Sequence, residues 1–271
     1  MVPPWDAQPI IRIVPTLRLT LEYEGTRYRG WQEQKNARSV AGELRRAVEE
    51  VAGAAGELGG SGRTDAGVHA LAQVAHLRLA RKVEPERFRR EVNDRLPPDI
   101  HLLAAAAAPD RFHARHDAVL RSYLYQVSTR RTALAKRFVW WVKRPLDVGA
   151  MRAAAAHLAG KHDFRLFCEK PAEQTSTLVV VERAELAADG ALILVRLAAS
   201  HFLWKMVRRV TGALVEVGSG ALGVEDFAAL VAGRGKAHAE WTAPPSGLFL
   251  ERVLYPGDPP LAPLRAAVPV R

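Results

Sequence analysis

The sequence predicts an α+β fold made of two similar halves, and three observations support this prediction. Residues 16–23 alternate between apolar and polar side chains, as a half-buried strand does. Val40, Leu44 and Val48 recur at helical spacing and mark the inward face of a helix. Strand-like and helix-like segments then follow one another in a similar order in both halves of the chain. We therefore expect two α+β halves with a cleft between them.

The first half is predicted to begin with the strand at 16–23. Ser39 suits a helix N-cap, because its hydroxyl can accept a hydrogen bond from a free backbone N–H, and Pro85 suits the first turn of another helix. The predicted elements are, in order, the first strand, a helix from Ser39 to Gly53, a loop around Asp65, a strand at 74–79, a helix from Pro85 and a strand at 100–106.

The second half repeats this kind of pattern. Tyr123, Tyr125 and Val127 alternate as a strand does, and Asp189-Gly190 is typical of a hairpin turn. The other predicted elements are a helix from Asp147 to Gly160, strands at 178–186 and 192–198, helices at 201–217 and 225–231, and a last strand that runs through Val253 and Tyr255.

Proline marks both ends of the chain. Residues 1–15 and 257–271 contain four prolines each, which predicts a loose arm and a flexible tail. The expected organisation is therefore an arm at 1–15, a first half at 16–117, a second half at 118–256 and a tail at 257–271.

Composition limits the class of protein. The chain has 271 residues, a net charge of +10, and 31 arginines among its 39 basic residues. A planar guanidinium suits phosphates and bases, although a general bias toward arginine would also explain the excess over lysine. The single cysteine excludes an internal disulfide and a cysteine-based zinc site. Neither a signal peptide nor a membrane-spanning stretch is recognisable, so we expect a soluble cytoplasmic protein.

Positive charge is concentrated at residues 111–144. This stretch holds nine cations and one acid, Asp117, and aromatic residues such as Tyr123 and Trp141 lie between the cations. A basic groove with aromatic platforms binds nucleic acid, whereas the alternative is a solvated arginine-rich face. The candidate RNA-binding residues here are Phe112, His113, Ala114, Arg115, Arg130 and Arg131.

Residues 60–70 contain the candidate reactive group. Asp65 lies between glycines that permit close approach of the backbone, and Arg63 is two residues away. A neighbouring arginine can keep a carboxylate ionised as a nucleophile or base. The alternative is a tight loop in which Asp65 caps a turn.

The run Arg63-Thr64-Asp65-Ala66-Gly67-Val68-His69-Ala70, with Gln73 after it, resembles the catalytic motif of the tRNA pseudouridine synthase A family. The resemblance covers about residues 16–255 and includes similar motifs at 23–34, 93–100, 112–115, 121–125 and 162–164. Two departures stand out: Glu24 replaces the usual aspartate, and Leu178 stands near the place of a usual arginine.

The resemblance implies the pseudouridine synthase fold, a central and mainly antiparallel sheet flanked by helices around a basic cleft. It implies an isomerase that converts uridine to pseudouridine at positions 38–40 of the tRNA anticodon arm. The reaction has no redox change, so no cofactor and no metal are expected. It also implies a homodimer that binds one tRNA across both subunits.

Residue roles follow from the same resemblance. Asp65 is expected to be the nucleophile, although the sequence leaves open which atom it attacks. Arg63 is expected to fill the gap left by the extruded base, or alternatively to hold a phosphate. Tyr123 is expected to stack on the target ring and accept the C5 proton, unless it is a core tyrosine. Arg208 is expected to pair with Asp65 unless it lies on the surface. Two further residues are expected to bind the substrate. Leu248 would form an apolar wall over the uracil, and Gln32 lies in the aromatic loop at 23–34.

Two other functions remain open from the residues alone. A non-catalytic RNA-binding or RNA-folding protein would use the same basic cleft but has no need of Asp65. A hydrolase or phosphoryl-transfer enzyme would need paired carboxylates for metal, and Asp65 has no acidic neighbour in sequence. A zinc site at His113 and His116, or at His157 and His162, lacks a third ligand at suitable spacing.

Overall fold

The computed structural model describes residues 16–236 and 238–270, so the predicted arm at 1–15 lies outside the described residues. The strands are β1 (Thr16–Tyr23), β2 (Ala55–Gly60), β3 (His69–Leu79), β4 (Ile100–Ala108), β5 (Leu120–Ser128), β6 (Trp140–Trp141), β7 (Gly160–Asp163), β8 (Leu178–Asp189), β9 (Leu192–Ala199) and β10 (Leu248–Leu254). The helices are α1 (Val40–Ala52), α2 (Pro85–Asn93), α3 (Val148–Ala156), α4 (Met206–Gly218) and α5 (Val224–Val231). No helix within the described ranges has the length and apolarity that a membrane crossing requires.

All of these strands belong to one sheet, which confirms the predicted α+β fold. The main strand order is β4-β1-β3-β10-β5-β9-β8-β7, with β2 beside β3 and β6 beside β5. Most neighbours are antiparallel, but β3 and β10 form a short parallel pair that joins His69 to Phe249 and Ala70 to Leu250. We call this pair the seam, because it connects the strands of the first half to those of the second.

The sheet has two differently covered faces. All five helices bury side chains in one large apolar cluster, together with Tyr123, Tyr125 and Val127 of β5. Leu124, which points the other way from the same strand, belongs to a second cluster with Phe249 and Val270. Since successive side chains of a strand alternate between faces, the second cluster covers the side of the sheet away from the helices.

The C-terminal segment covers that second face, so the predicted flexibility of the tail is wrong for residues 257–270. Val270 is buried against Leu124 and Phe249. The buried amide of Gln126 accepts hydrogen bonds from the backbone N–H groups of Ala267 (2.6 Å) and Val268 (3.2 Å) and donates to the Val268 carbonyl (3.2 Å). Prolines here keep the segment extended, while the apolar strands beneath supply the burial that orders it.

Substitution Gln126→Ala is expected to loosen this segment, because it removes the hydrogen bonds that fix residues 267 and 268. A loss of about 1–3 kcal/mol in local stability should raise the rate of trypsin cleavage after exposed Arg265 by roughly tenfold. Mass spectrometry of the released peptide would measure the rate. Gln174→Ala, in the connection before β8, serves as the control, and equal rates for the two variants would contradict the role given to Gln126.

Two further elements differ from the prediction. Helix α4 begins at Met206 rather than at His201, because Lys205 adopts a left-handed conformation (φ 60°) that no helix can include. Strand β2 was expected to be loop, since its sequence contains three glycines, yet it pairs with β3 from Ala55 to Gly60. Both differences lie next to the candidate site described below.

Candidate active site

The Asp65 loop leaves the sheet where β3 changes its neighbour. Strand β2 pairs with β3 as far as Ala75, and β10 pairs with β3 at His69 and Ala70. Residues 61–68 fill the gap between these two partners. The Asp65 loop therefore lies next to the seam, where side chains of both halves can contact it.

Buried polar groups fix the conformation of this loop. The Gln73 amide donates to the Gly62 carbonyl (2.9 Å) and accepts from the Ser61 hydroxyl (2.8 Å). The hydroxyls of Tyr23 and Thr64 lie 2.8 Å apart in a hydrogen bond. Burial raises the pKa of Tyr23, so its phenol stays protonated. Asp65 thus follows directly after a residue that β1 holds in place.

The aromatic loop at 23–34 packs directly on the backbone of the Asp65 loop. The backbone N–H of Trp31 donates to the Thr64 carbonyl (3.1 Å), and the backbone N–H of Gly67 donates to the Tyr28 carbonyl (3.2 Å). A Cβ on Gly30 would lie only 2.3 Å from the Thr64 oxygen, and Gly30 has a φ of 91°. Glycine is therefore required here by both space and conformation. Gln32, the predicted binding residue of this loop, is exposed.

His69 joins three segments at the seam. Gly25 N–H donates to its Nδ1 (3.0 Å), so the neutral ring carries its proton on Nε2, which donates to the Arg137 carbonyl (2.8 Å). The ring also stacks on Phe249 of β10, with 4.9 Å between centroids. Burial lowers the pKa of His69, which keeps it neutral. His69 of the motif therefore has a structural role: it holds the segments around Gly25, Arg137 and Phe249 together next to the Asp65 loop.

Arg208 meets Asp65 across the seam. An Nη1 of Arg208, on α4, lies 3.3 Å from Oδ2 of Asp65, and the side chains are 14% and 25% exposed respectively. The Arg208 Nε donates to the Ala243 carbonyl at 2.7 Å, which fixes the direction of the guanidinium. The structure thus brings together the two charged residues that the sequence analysis paired, one from each half.

Tyr123 lies on β5 beside this pair and is 8% exposed. Its ring meets the ring of Phe202 edge-on, with 5.0 Å between centroids. Burial is the main cause that raises the pKa of Tyr123, and the charge of Asp65 adds to it. The phenol is consequently protonated at neutral pH, which suits stacking and hydrogen bonding better than unassisted proton abstraction.

The other predicted residues occupy different places. Arg63 is exposed on the Asp65 loop, and Leu248 is buried where β10 begins, opposite Tyr125. Arg130 and Arg131 follow the end of β5, about 20 Å from Tyr123 at the rise of an extended chain. Arg131 lies over the ring of Trp141, 5.8 Å from its centroid. These two arginines therefore lie away from Tyr123, beyond the end of the strand that carries it.

Residues 112–115 are anchored by their backbone and rings. Tyr255 donates its hydroxyl proton to the Ala114 carbonyl (2.6 Å), and its ring lies 5.3 Å from that of Phe112. Ala114 is fully buried, so its side chain offers no surface to a ligand. Of this motif, Arg115 is exposed and His113 is half-buried.

A group of possible metal ligands lies nearby. Oxygen and nitrogen atoms of Glu57, His76 and His113 come within 4.8 Å of one another. However, Nδ1 of His76 accepts from Ala114 N–H (3.1 Å), and Nδ1 of His113 accepts from Arg115 N–H (3.2 Å). With Nδ1 accepting, each ring carries its proton on Nε2, and Nε2 of His76 lies 3.2 Å from Glu57. The donor set fits a hydrogen-bonded anchor and does not fit a metal.

Comparison with known proteins identifies the family. A family model described as tRNA pseudouridine synthase matches residues 20–117 and 154–256. A protein named tRNA pseudouridine synthase A from Rhodopseudomonas palustris (strain BisB18) is 42% identical over 245 residues, covering 89% of this chain and all of the relative. The chain belongs to the tRNA pseudouridine synthase family.

Further relatives agree with this assignment. Proteins named tRNA pseudouridine synthase A from Nitrobacter winogradskyi and Allorhizobium ampelinum are each 41% identical and cover 92% and 90% of this chain, which spans 98% and 96% of them. Pseudouridine synthases are isomerases, so the chain is an enzyme of that class. The mostly antiparallel sheet with its five helices is the pseudouridine synthase fold.

Sequence reasoning missed several supporting residues of this pseudouridine synthase. Gln73 belongs to the motif, but nothing in the sequence indicates that its amide holds residues 61 and 62. Phe202 was predicted to start a helix, whereas it lies in the non-helical turn before α4 and contacts Tyr123. The carbonyl of Ala243 that orients Arg208 leaves no signal in a sequence, since every residue has a carbonyl.

Proposed function

We propose that this enzyme isomerises uridine to pseudouridine at positions 38–40 in the anticodon arm of tRNA, with Asp65 as the nucleophile. The contact between Arg208 and Asp65 at the seam is the observation that supports the assignment most. The Asp65 carboxylate is one quarter exposed and its charge acts on Tyr123, whose ring meets that of Phe202. A charged group, its counter-ion and a ring platform are what a detached uracil needs around it.

The reaction breaks the N1–C1′ bond of a uridine and joins C1′ to C5 of the same ring. The C5 proton leaves to solvent and N1 gains a proton, so the atoms balance and no electrons are exchanged. Asp65 supplies the carboxylate that takes part in the cleavage, at the sugar carbon, at C6 of the ring or at a sugar proton. Arg208 keeps that carboxylate charged and correctly directed while bound RNA excludes water.

The target base has to leave its stack before Asp65 can reach it, at a cost of a few kcal/mol that is smaller near a loop. Arg63, exposed on the same loop, fills the gap or holds a phosphate. Tyr123 stacks on the extruded ring, and its protonated phenol accepts the C5 proton only as it passes its own proton on. Leu248 supplies apolar surface next to that ring.

The rest of the tRNA is held by the charged surface. Arg115, Arg130 and Arg131 contact phosphates, with smaller contributions from Phe112, His113 and Gln32, whereas buried Ala114 makes none. We further propose a homodimer that binds one tRNA across both subunits, and action in the cytoplasm. The reaction uses no cofactor.

Unmodified tRNA labelled with tritium at uridine C5 is expected to release its label to water when the protein is added, in buffer that contains EDTA. The measurement is the radioactivity that charcoal does not adsorb. A transcript with cytidine at positions 38–40 is the matched control and should release none. Binding without release would favour the RNA-binding alternative, and EDTA-sensitive strand cleavage would favour a hydrolase.

A further inference from the structure

Next to the candidate site lies a buried arginine that pairs with no carboxylate of residues 16–236 and 238–270. Arg121, the second residue of β5, is 8% exposed and its guanidinium donates to four backbone carbonyls. They belong to Ser61 (3.2 Å), Arg115 (2.5 Å), Ala118 (3.1 Å) and Ser200 (2.8 Å). None of these partners carries a negative charge, so the positive charge of Arg121 is solvated by dipoles alone.

This guanidinium brings two more basic side chains together. One Nη atom bonds the carbonyl of Arg115 and the other bonds the carbonyl of Ser200, which directly precedes His201. Arg115 and His201 are both exposed. The Ser200 hydroxyl and His201 Nδ1 lie 3.1 Å apart in a hydrogen bond, so Nε2 is the ring nitrogen that remains for a ligand. Phe202, the next residue, contacts Tyr123.

We propose that Arg115, Arg121 and His201 form a phosphate site that holds the RNA strand beside the extruded uridine, and that the bound phosphate puts a proton on His201. This inference rests on the proposed function, since it names a contact made by the same substrate. Arg115 and His201 donate hydrogen bonds to the phosphate oxygens, while Arg121 contributes charge from beneath because its Nη atoms are already bonded.

The charges around His201 favour the neutral ring in the free protein. Although the side chain is exposed, neighbouring protein atoms partly desolvate the ring, and this desolvation, followed by the positive charges of Arg121 and Arg115, lowers the pKa of His201. The other charged groups on neighbouring elements are Asp117, which accepts from His113 N–H (2.8 Å), and exposed Glu182 and Arg183 on β8. A phosphodiester of the bound RNA brings negative charge to these cations and opposes the effect. RNA binding is therefore coupled to uptake of one proton.

Proton uptake by His201 makes the affinity for RNA depend on pH. The pKa of His201 is higher in the complex than in the free protein, so affinity rises as the pH falls through the interval between these two values. Fluorescence anisotropy with an unmodified anticodon stem-loop RNA, at constant ionic strength, should give a Kd about three- to tenfold lower at pH 6 than at pH 8. His201→Gln should remove most of this dependence. His157→Gln, an exposed histidine after α3, should retain it.

Arg115→Gln provides a second, independent measurement. It should weaken binding at every pH and lower the slope of log K against log salt by about one. By NMR, the ring of His201 in the free protein should titrate at higher pH in this variant, because a neighbouring positive charge is gone. If His201 titrates in this variant as it does in the wild type, Arg115 does not act on His201 and the proposed phosphate site is wrong.

The outcomes distinguish this inference from the proposed function. If the wild type releases tritium but His201→Gln binds with unchanged affinity and pH dependence, the phosphate site is wrong and the isomerase stands. If the wild type binds the stem-loop with the His201-linked dependence but releases no tritium, the site stands and the isomerase is wrong. Loss of the pH dependence in the His157→Gln control would also overturn the assignment to His201.

Discussion

Asp65→Asn is expected to lower the rate of tritium release from uridine C5 by roughly 10⁴-fold, as loss of a nucleophile does in other enzymes. The amide has nearly the shape of the carboxylate, and its oxygen can still accept a hydrogen bond from Arg208. It has no charge, however, and is a poor nucleophile and base at neutral pH. Single-turnover release with excess enzyme is the measurement, because it reports chemistry without product dissociation.

The affinity for tRNA should stay the same or increase in this variant, since a negative charge is removed from a surface that binds an anion. Asp94→Asn, at an exposed carboxylate after α2, is the matched control and should behave as the wild type. If Asp65→Asn releases tritium at a rate within tenfold of the wild type, Asp65 is not the nucleophile. Equal losses of binding and release would indicate misfolding instead, which circular dichroism detects.

Arg196→Met should destabilise the fold by about 3–5 kcal/mol, because it removes a buried cation and leaves its partly buried partner Glu251 uncompensated. Arg196 is 1% exposed on β9, and its Nε donates to Oε2 of Glu251 at 2.8 Å. One Nη contacts Glu185 (3.0 Å) and the carbonyl of Ala262 (2.9 Å) in the C-terminal segment. For a chain of this size, the expected fall in Tm is about 6–20 °C, measured by thermal unfolding.

A double variant distinguishes the stability lost with the ion pair from the stability lost with side-chain packing. Arg196→Met combined with Glu251→Leu removes Arg196 and its less exposed partner, and leaves only Glu185, which solvent reaches. It should recover a large part of the stability, since apolar side chains of similar volume often replace a buried ion pair. Arg87→Met removes an exposed pair with Glu91 on α2 and should leave Tm almost unchanged. If the single variant at Arg196 melts at the wild-type temperature, the network does not hold the sheet to the C-terminal segment.

Local patterns predicted most of the elements. The alternation at 16–23 corresponds to β1, and Ser39 caps α1 by accepting from Gly42 N–H. The hairpin at Asp189-Gly190 also forms, between β8 and β9. In each of these, a short stretch of sequence contains the physical cause of the structure, such as a period, a cap or a turn.

The sequence failed where the cause lies elsewhere in the chain. The segment at 257–270 is ordered by an apolar sheet face and by Gln126, more than 130 residues earlier. The start of α4 depends on the conformation of Lys205, for which no local signal exists. The meeting of Arg208 with Asp65 joins positions 143 residues apart, so only family resemblance, and no local pattern, could point to it.

The seam has a consequence for the maturation of the enzyme. Only two residue pairs join β3 to β10, and each pair is separated by 180 residues of chain. Contacts between such distant positions form late, because closing a long loop is entropically costly. The contact of Arg208 with Asp65 also lies across this seam, so we expect it to form late in folding. We expect a chain that has not completed this step to be inactive toward RNA, so that enzymatic activity indicates that the C-terminal strand has docked.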